Sequence, residues 1–362
     1  MLKPRKAVKA IPAYHPPLAG REGLRLDFNE NTTGCSPRVL ARLRTLGSDD
    51  LARYPERQAT EAVVAKFLGI DESELLLTNG VDEAIHLLCQ AYLDAGDEAL
   101  IVVPTYSMYR IYMSAAGAEV ISVPAGVDFQ FPADELQASI SERTRLIAVA
   151  NPNNPTGTFV EIDYLLEIAR SAPTAAILVD EAYFEFFGKT ILPCRRDFPN
   201  IFVTRTFSKA YGLAGLRIGV LIGDVDQMSS LRRVCSPYNV NAVALACLPE
   251  AVADQDYTAR YVTEALQSRA RLEAALGARG LEFWPSQANF VLARIGTTRT
   301  DSQTFVEQIR RRGILVRDRS SDCGCEGCVR FTVGTGEHTD RLLAALDEVL
   351  EELSLSHGAL RS

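Results

Sequence analysis

The chain has 362 residues, 47% of them apolar, with 38 lysines and arginines against 46 aspartates and glutamates, a net charge of −8. That length and apolar share suffice for one large α/β domain and a smaller one, each with a core. The acidic balance argues against nucleic acid, whose phosphates call for a basic face, but leaves room for anionic small molecules, which need only a few local arginines.

Taken in chain order, residues 1–31 read as an arm. Its opening, MLKPRKAVKAIPAYHPP, is basic but lacks the apolar centre of a signal peptide. No apolar run approaches the length of a membrane span, so the chain is expected in the cytoplasm. A short apolar stretch ends the arm at Phe28. From about residue 57 helices alternate with short apolar strands. ATEAVVAKFLGI is amphipathic, ELLLTNG is a strand running into a turn, and VDEAIHLLCQAYLDAG is a helix with a glycine stop. ALIVVP, AEVISVP, RLIAVAN, AAILVDEAY, IFVTRTFS and IGVLIG follow as strands. Strands this apolar, separated by helices, predict a mostly parallel sheet covered on both faces, a large α/β domain over 32–250.

Residues 251–362 read as a smaller α+β unit. It holds a long helix from about Asp256 to Leu276, FWPSQANFVLARI, a helix ending near Arg312, GILVRDR, CVRFTVGT, and a closing helix from His338 to Leu353. The last residues, SHGALRS, are expected to fray. In parallel α/β sheets ligands bind beyond the C-terminal strand ends, so the chemistry is sought there.

Four strand-end motifs stand out: TNGVDEA (78–84), NPNNPTG (151–157), VDEAY (179–183) and TFSKAYGLAGLRIG (206–219). Together and in this order they resemble the fold-type-I aminotransferases, which use pyridoxal 5′-phosphate (PLP). The match runs from Tyr14 to Thr335. LDFNENTTG (26–34), and GILVRDR followed by CVRFTVGT, narrow the resemblance to the histidinol-phosphate aminotransferase family. The resemblance implies a large PLP domain with a smaller α+β domain.

It also implies roles. Lys209 would bind PLP as a Schiff base, its pKa depressed by desolvation and nearby positive charge. Asp180 would keep the pyridine nitrogen protonated, as an electron sink requires. Tyr183 and Asn154 would hydrogen-bond the cofactor's phenolic oxygen, and Tyr106 would stack on its ring. The phosphate would sit at the helix start formed by Gly80, Val81 and Asp82, with Thr206, Ser208 and the fork of Arg217. Tyr54 would reach into the phosphate site of a neighbouring subunit, implying a homodimer. Arg317 and Arg330, thirteen positions apart, would bind the substrate's phosphate, with Tyr14 and Asn31 in the covering arm. The implied substrates are a phosphorylated amine donor and 2-oxoglutarate or glutamate. Thr32 and Thr33 stand where the family usually continues with proline, and Asp27 where it has asparagine. Aromatic aminotransferases and threonine-phosphate decarboxylases are neighbouring families. A PLP-sensing transcription regulator would need a DNA-binding domain ahead of the fold. Dehydrogenase and hydrolase readings lack GxGxxG and GxSxG.

Of eight cysteines, Cys89 and Cys247 sit in apolar helical patterns as core thiols, and no disulfide is expected in a reducing cytosol. Cys323, Cys325 and Cys328 crowd between Arg317 and Arg330. A tetrahedral zinc site wants four ligands; this loop offers three, with Asp322 or Glu326 as the only fourth. No metal is expected. Gly324 and Gly327 instead permit tight turns in a loop that spaces the two arginines.

Overall fold

The computed structural model describes residues 2–13, 15 and 20–359, of which 354–359 by backbone alone. Tyr14, Pro16 and Pro17 of the arm lie outside the described residues. Among the described residues thirteen strands form, in chain order: β1 (Leu24–Arg25), β2 (Leu75–Thr78), β3 (Glu98–Val103), β4 (Glu119–Pro124), β5 (Thr144–Ala150), β6 (Ala176–Asp180), β7 (Ile201–Thr206), β8 (Gly219–Ile222), β9 (Glu282–Trp284), β10 (Phe290–Arg294), β11 (Ile314–Leu315), β12 (Arg317–Asp318) and β13 (Cys328–Thr332).

Seven of them make one sheet in the order β2-β8-β7-β6-β5-β3-β4. The pairs from β4 to β7 are parallel. β8 alone is reversed, antiparallel to both β7 and β2. The reversal has a local cause: β8 follows β7 after a loop, 207–218, that forms no α-helix to carry the chain back across the sheet, and the strand returns antiparallel. That return leaves the loop 207–218, with Lys209 and Arg217, at the same sheet edge where the parallel strands end. Side chains alternate along these strands, and both sets are buried. Leu77, Ile147, Val149, Ile177, Val179 and Val203 face one core; Leu76, Leu146, Ala148, Leu178 and Phe202 face the other. Burying each valine, leucine, isoleucine or phenylalanine among them contributes about 1.5–3 kcal/mol.

One boundary differs from expectation. The helix after β2 spans Val81–Tyr92 and stops at an extended Leu93, three residues before Gly96. Gly96 is left-handed, φ 98°, but serves the turn into β3. Asp94 and Asp97 close that turn, with the Asp97 carboxylate accepting from the Asp94 N–H at 2.7 Å.

The second sheet is antiparallel, in the order β12-β13-β10-β9. Its alternation separates two faces. Val291, Ala293, Val329 and Phe331 pack on Leu272 and Leu276 of the helix Gln255–Ala278, on Phe305 and Ile309 of Arg299–Arg311, and on Leu342 and Leu346 of Gly336–Ala359. The register puts Trp284, Phe290, Leu292, Arg294, Cys328, Arg330, Thr332 and Arg317 on the other face. The closing helix spans Gly336–Ala359, longer than the expected His338–Leu353; of the tail SHGALRS, 356–359 continue the helix and 360–362 lie outside the described residues.

The arm joins this second unit. β1 pairs in parallel with β11, Leu24 and Leu26 enter its apolar core, and the Thr332 N–H donates to the Leu26 carbonyl at 2.9 Å. Among the described residues no helix is long and apolar enough to cross a membrane.

Candidate active site

The ends of β6 and β7 carry the first cluster. Asp180, 5% exposed, takes three hydrogen bonds. Its Oδ2 accepts from the Tyr109 hydroxyl at 2.6 Å; its Oδ1 accepts from the Thr204 hydroxyl at 3.0 Å and the Ala182 N–H at 3.1 Å. Burial pushes its carboxyl up to about 6, against these donors. Thr204 is the register partner of Asp180, and Tyr109 lies in the first turn of the helix Ser107–Ala116. Neither was singled out from the sequence. The available signals were Tyr109 one helical turn after Tyr106 and Thr204 two residues before Thr206. Tyr106 meets the Tyr109 ring edge-on at 5.6 Å, and its hydroxyl donates to Asp82 Oδ1 at 2.7 Å.

Beside it lies a small cup. Thr78 and Thr206 both pair with Gly219, one on each side of β8. The Thr206 hydroxyl accepts from the Ser208 N–H at 3.1 Å, and both residues are buried. The Thr78 hydroxyl is buried with no partner among the described residues. Gly80, φ 76°, caps the helix that begins at Val81. A Cβ there would come within 2.7 Å of Arg217 Nη2, so only glycine lets the guanidinium lie against the helix start. Arg217 Nη2 also donates to Asp82 Oδ2 at 3.1 Å. A helix N-terminus, hydroxyls and a fork of donors are what a phosphate group requires.

Lys209 follows at once. Its Nζ donates to the Phe28 carbonyl at 2.9 Å. Burial, then the field of Arg330, brings its pKa down to about 8. A lysine this close to neutral can act as nucleophile and base. Lysine, buried carboxylate and anion cup together fit a phosphorylated pyridine cofactor of the kind the sequence resemblance implies.

The arm closes the other side through three consecutive residues. The Asp27 carbonyl accepts from Arg330 Nη2 at 2.6 Å, the Phe28 carbonyl holds Lys209, and Asn29 Nδ2 donates to the Tyr183 hydroxyl at 2.9 Å. Asn29 is left-handed, φ 56°, which turns its side chain inward. The Phe28 ring lies between Arg21 and Arg317, 4.3 and 5.3 Å from their guanidinium carbons. Arg317 and Arg330 are direct register partners on β12 and β13. Arg330 Nη1 donates to Asn154 Oδ1, so Asn154 touches the arginine, while Tyr183 is met by Asn29. Burial, then Arg319, lowers the Arg330 pKa to about 9.

Asn31 is bonded within its own loop. Its Oδ1 accepts from Thr33 N, Thr33 Oγ1 and Gly34 N, and its Nδ2 donates to the Ala210 carbonyl at 2.9 Å. Its groups are spent holding the loop, although it lines a cavity of about 580 Å³ with Arg25, Glu30, Ser208 and Arg341. The arm asparagine bonded to Tyr183 is Asn29, which the sequence did not single out. Tyr54 lies apart from the site, exposed and stacked on Tyr238 at 4.2 Å. Tyr14 lies outside the described residues.

The cysteine loop sits at the foot of this wall. All eight cysteines are free, and among the described residues no group of three or more His, Cys, Asp or Glu is placed to hold a metal ion. Cys325 and Cys328 are buried against Phe129, Trp284 and Leu292 and hydrogen-bond each other, which raises the Cys325 thiol and lowers Cys328. A Cβ on Gly327 would collide with the Gly296 carbonyl oxygen at 1.9 Å, so the tight turn there requires glycine.

Comparison with known proteins agrees with this geometry. The sequence profile described as "Aminotransferase class I and II" matches residues 21–346. The histidinol-phosphate aminotransferase of Paracoccus denitrificans (strain Pd 1222) is 37% identical over 92% of this chain and 92% of its own length. That of Geobacillus sp. (strain WCH70) is 34% identical over 92% and 91%. The crystal structure of histidinol-phosphate aminotransferase from Sinorhizobium meliloti in complex with pyridoxal-5′-phosphate superposes with a TM-score of 0.89, at 24% identity, covering 98% of this chain and 99% of that one. The chain belongs to the class I and II aminotransferases.

Proposed function

We propose that the protein is a PLP-dependent aminotransferase that moves the amino group of L-histidinol phosphate to 2-oxoglutarate, giving imidazole acetol phosphate and glutamate in histidine biosynthesis. The observation that carries the choice of donor is the pairing of Arg317 with Arg330 across β12 and β13. Histidinol phosphate bears a phosphate and no carboxylate, and two forks suit a dianion. Relatives more than 30% identical over nine-tenths of the chain bear that enzyme's name.

When bound, PLP supplies an electron sink for the electrons left as the substrate Cα loses its proton. Lys209 Nζ would carry the cofactor and then take the Cα proton, for which its lowered pKa suits it. Asp180, fixed by Tyr109 and Thr204, would hold a proton at the pyridine nitrogen. Tyr183 and Asn154 would face the phenolic oxygen, Tyr106 the ring, and the Gly80–Asp82 helix start with Thr206, Ser208 and Arg217 the phosphate. Asn29, through Tyr183, joins them. We take 32–250 and 251–362 as the two domains, with the arm 1–31 before them, a division that the separate sheets support. The exposed Tyr54–Tyr238 stack, with Leu51 and Phe67 also exposed, supports a homodimer in which Tyr54 serves the neighbouring site. We place the enzyme in the cytoplasm.

The test mixes PLP-loaded protein and 2-oxoglutarate with histidinol phosphate, phenylalanine or threonine phosphate, and measures glutamate. Histidinol phosphate should react fastest. Faster reaction with phenylalanine would make it an aromatic aminotransferase; carbon dioxide release from threonine phosphate would make it a decarboxylase.

A further inference from the structure

Between Asp27 and Glu30 the arm presents two faces. Its backbone faces the site: the Asp27 carbonyl meets Arg330, and the Phe28 carbonyl accepts from Lys209 Nζ at 2.9 Å. Its side chains turn to Arg21. Arg21 Nε and Nη2 donate to the Asp27 carboxylate at 3.1 and 2.7 Å, and Nη2 also donates to Glu30 Oε2 at 2.8 Å. The guanidinium carbon lies 4.3 Å from the centre of the Phe28 ring, a cation–π contact. One side chain thus grips three of these four residues. The side chains of Arg21 and Asp27 are only 9% and 7% exposed.

The grip spans a weak point. The Leu26 N–H makes the last backbone bond to the β11 edge, at 2.8 Å to the Leu315 carbonyl. Asn29 then takes its left-handed backbone, φ 56°, which persists only where the surroundings hold it. Thr332 and Asn289 anchor Asn29 from one side. Asp27 and Glu30 flank it, so Arg21 closes a bracket across it from the other. Asp27, where the resembling family has asparagine, gives the bracket a full charge and both oxygens for the fork.

We propose that Arg21 is a positioning residue for Lys209: by gripping Asp27, Phe28 and Glu30, it holds the Phe28 carbonyl against the amine and keeps water away from it. Arg21 acts through the arm. The inference rests on the role proposed for Lys209. The rival is that Arg21 serves the fold alone.

The titration of Lys209 separates the two. The charged groups facing it are Arg330 from β13, Glu30 from the arm, Arg217 from the lysine loop and Asp82 from the helix start, and burial outweighs them. A loosened arm admits water to Nζ and frees the Glu30 carboxylate from Arg21; both favour the charged amine. Cofactor-free protein is labelled with trace acetic anhydride across a range of pH, and peptide mass spectrometry reads Lys209. In Arg21→Gln the midpoint should rise by about one pH unit or more, from about 8 toward the ordinary 10.5. Asp27→Asn, which leaves one oxygen for Arg21, should move it the same way by less, and decides by itself if Arg21→Gln does not fold. Arg25 reaches Glu30 at 3.3 Å from an exposed position, so Arg25→Gln should leave the midpoint in place. A lowered melting temperature with an unmoved midpoint in the Arg21 and Asp27 variants would make the grip a matter of fold alone and overturn the proposal. An equal shift in Arg25→Gln would assign the effect to the charge of Glu30 and overturn it too. Lys209→Ala is the separate control: full transamination there would remove the role of Lys209 itself, whatever the Arg21 variants do.

Discussion

Asp180 and Arg330 are equally enclosed, each 5% exposed, yet their surroundings differ in kind. Asp180 is met by two hydroxyls and a backbone N–H, all neutral donors. Arg330 has a side-chain amide and one carbonyl as acceptors, other arginines around it, and an Nε with no partner among the described residues. A buried charge whose hydrogen bonds are complete is a fixed part of the scaffold. One left incomplete among like charges carries a desolvation cost that only an incoming counter-ion relieves. The two sheets thus differ: the first completes the bonds of its buried charge within the protein, and the second leaves the Nε of its buried arginine without a partner among the described residues.

The largest effect that would break this contrast is at the fixed end. Lys209→Ala should lower turnover by about 10³-fold or more, a loss typical of a removed proton carrier, while the fold and some PLP binding persist; rapid-quench glutamate assays would show it. Next, Arg330→Gln should lower kcat/KM for the phosphorylated donor about a hundredfold or more, comparable to breaking a buried charge contact, with a smaller loss for a donor lacking phosphate. A loss of equal size for both would mean that Arg330 supports the fold and not the anion.

Asp180→Asn should part stability from function. The folded pKa lies at about 6 against an ordinary 3.8, so the native state binds more protons than the unfolded chain between those values. Stability from this group therefore falls as pH rises from about 4 to about 6 and stays reduced above. The shift corresponds to about 3 kcal/mol. The variant should melt higher than the parent at pH 7.5 when cofactor-free, with the advantage vanishing near pH 4, and should transaminate poorly. Smallest is a titration. Lys209 in cofactor-free protein should react with an amine-specific reagent with a midpoint near pH 8, against an ordinary 10.5. Its charged form is disfavoured in the folded state, so stability should rise with pH between those two values.

Much of this was legible in sequence wherever the signal was local. Asp180 stands at the end of an apolar run, and Lys209 sits in a loop whose neighbours carry the resemblance. The seven strands of the first sheet follow from β-rich apolar runs. What was hidden depends on distant partners. Tyr109 reads as one more apolar residue of a helix until β6, 71 residues on, brings Asp180 to its hydroxyl. Asn29 and Asn31 look alike in FNEN; only the left-handed backbone at Asn29 decides which enters the site. The helix end at Tyr92 was misplaced because Gly96 carries the same mark for a turn as for a helix stop.

The arm's bonds also fix a timetable for the chain's birth. Asn29 donates its N–H to Thr332 at 2.9 Å across 303 residues. A ribosome adding about 5–20 residues each second needs roughly 15–60 s to cover that span. Throughout that interval Leu24 and Leu26 have no strand to join, since β11 and β13 do not yet exist. The lysine loop can settle on its sheet well before then, but Phe28 cannot reach across it. The arm side of the site is therefore completed late, and the arm is the segment left longest to chaperones and proteases.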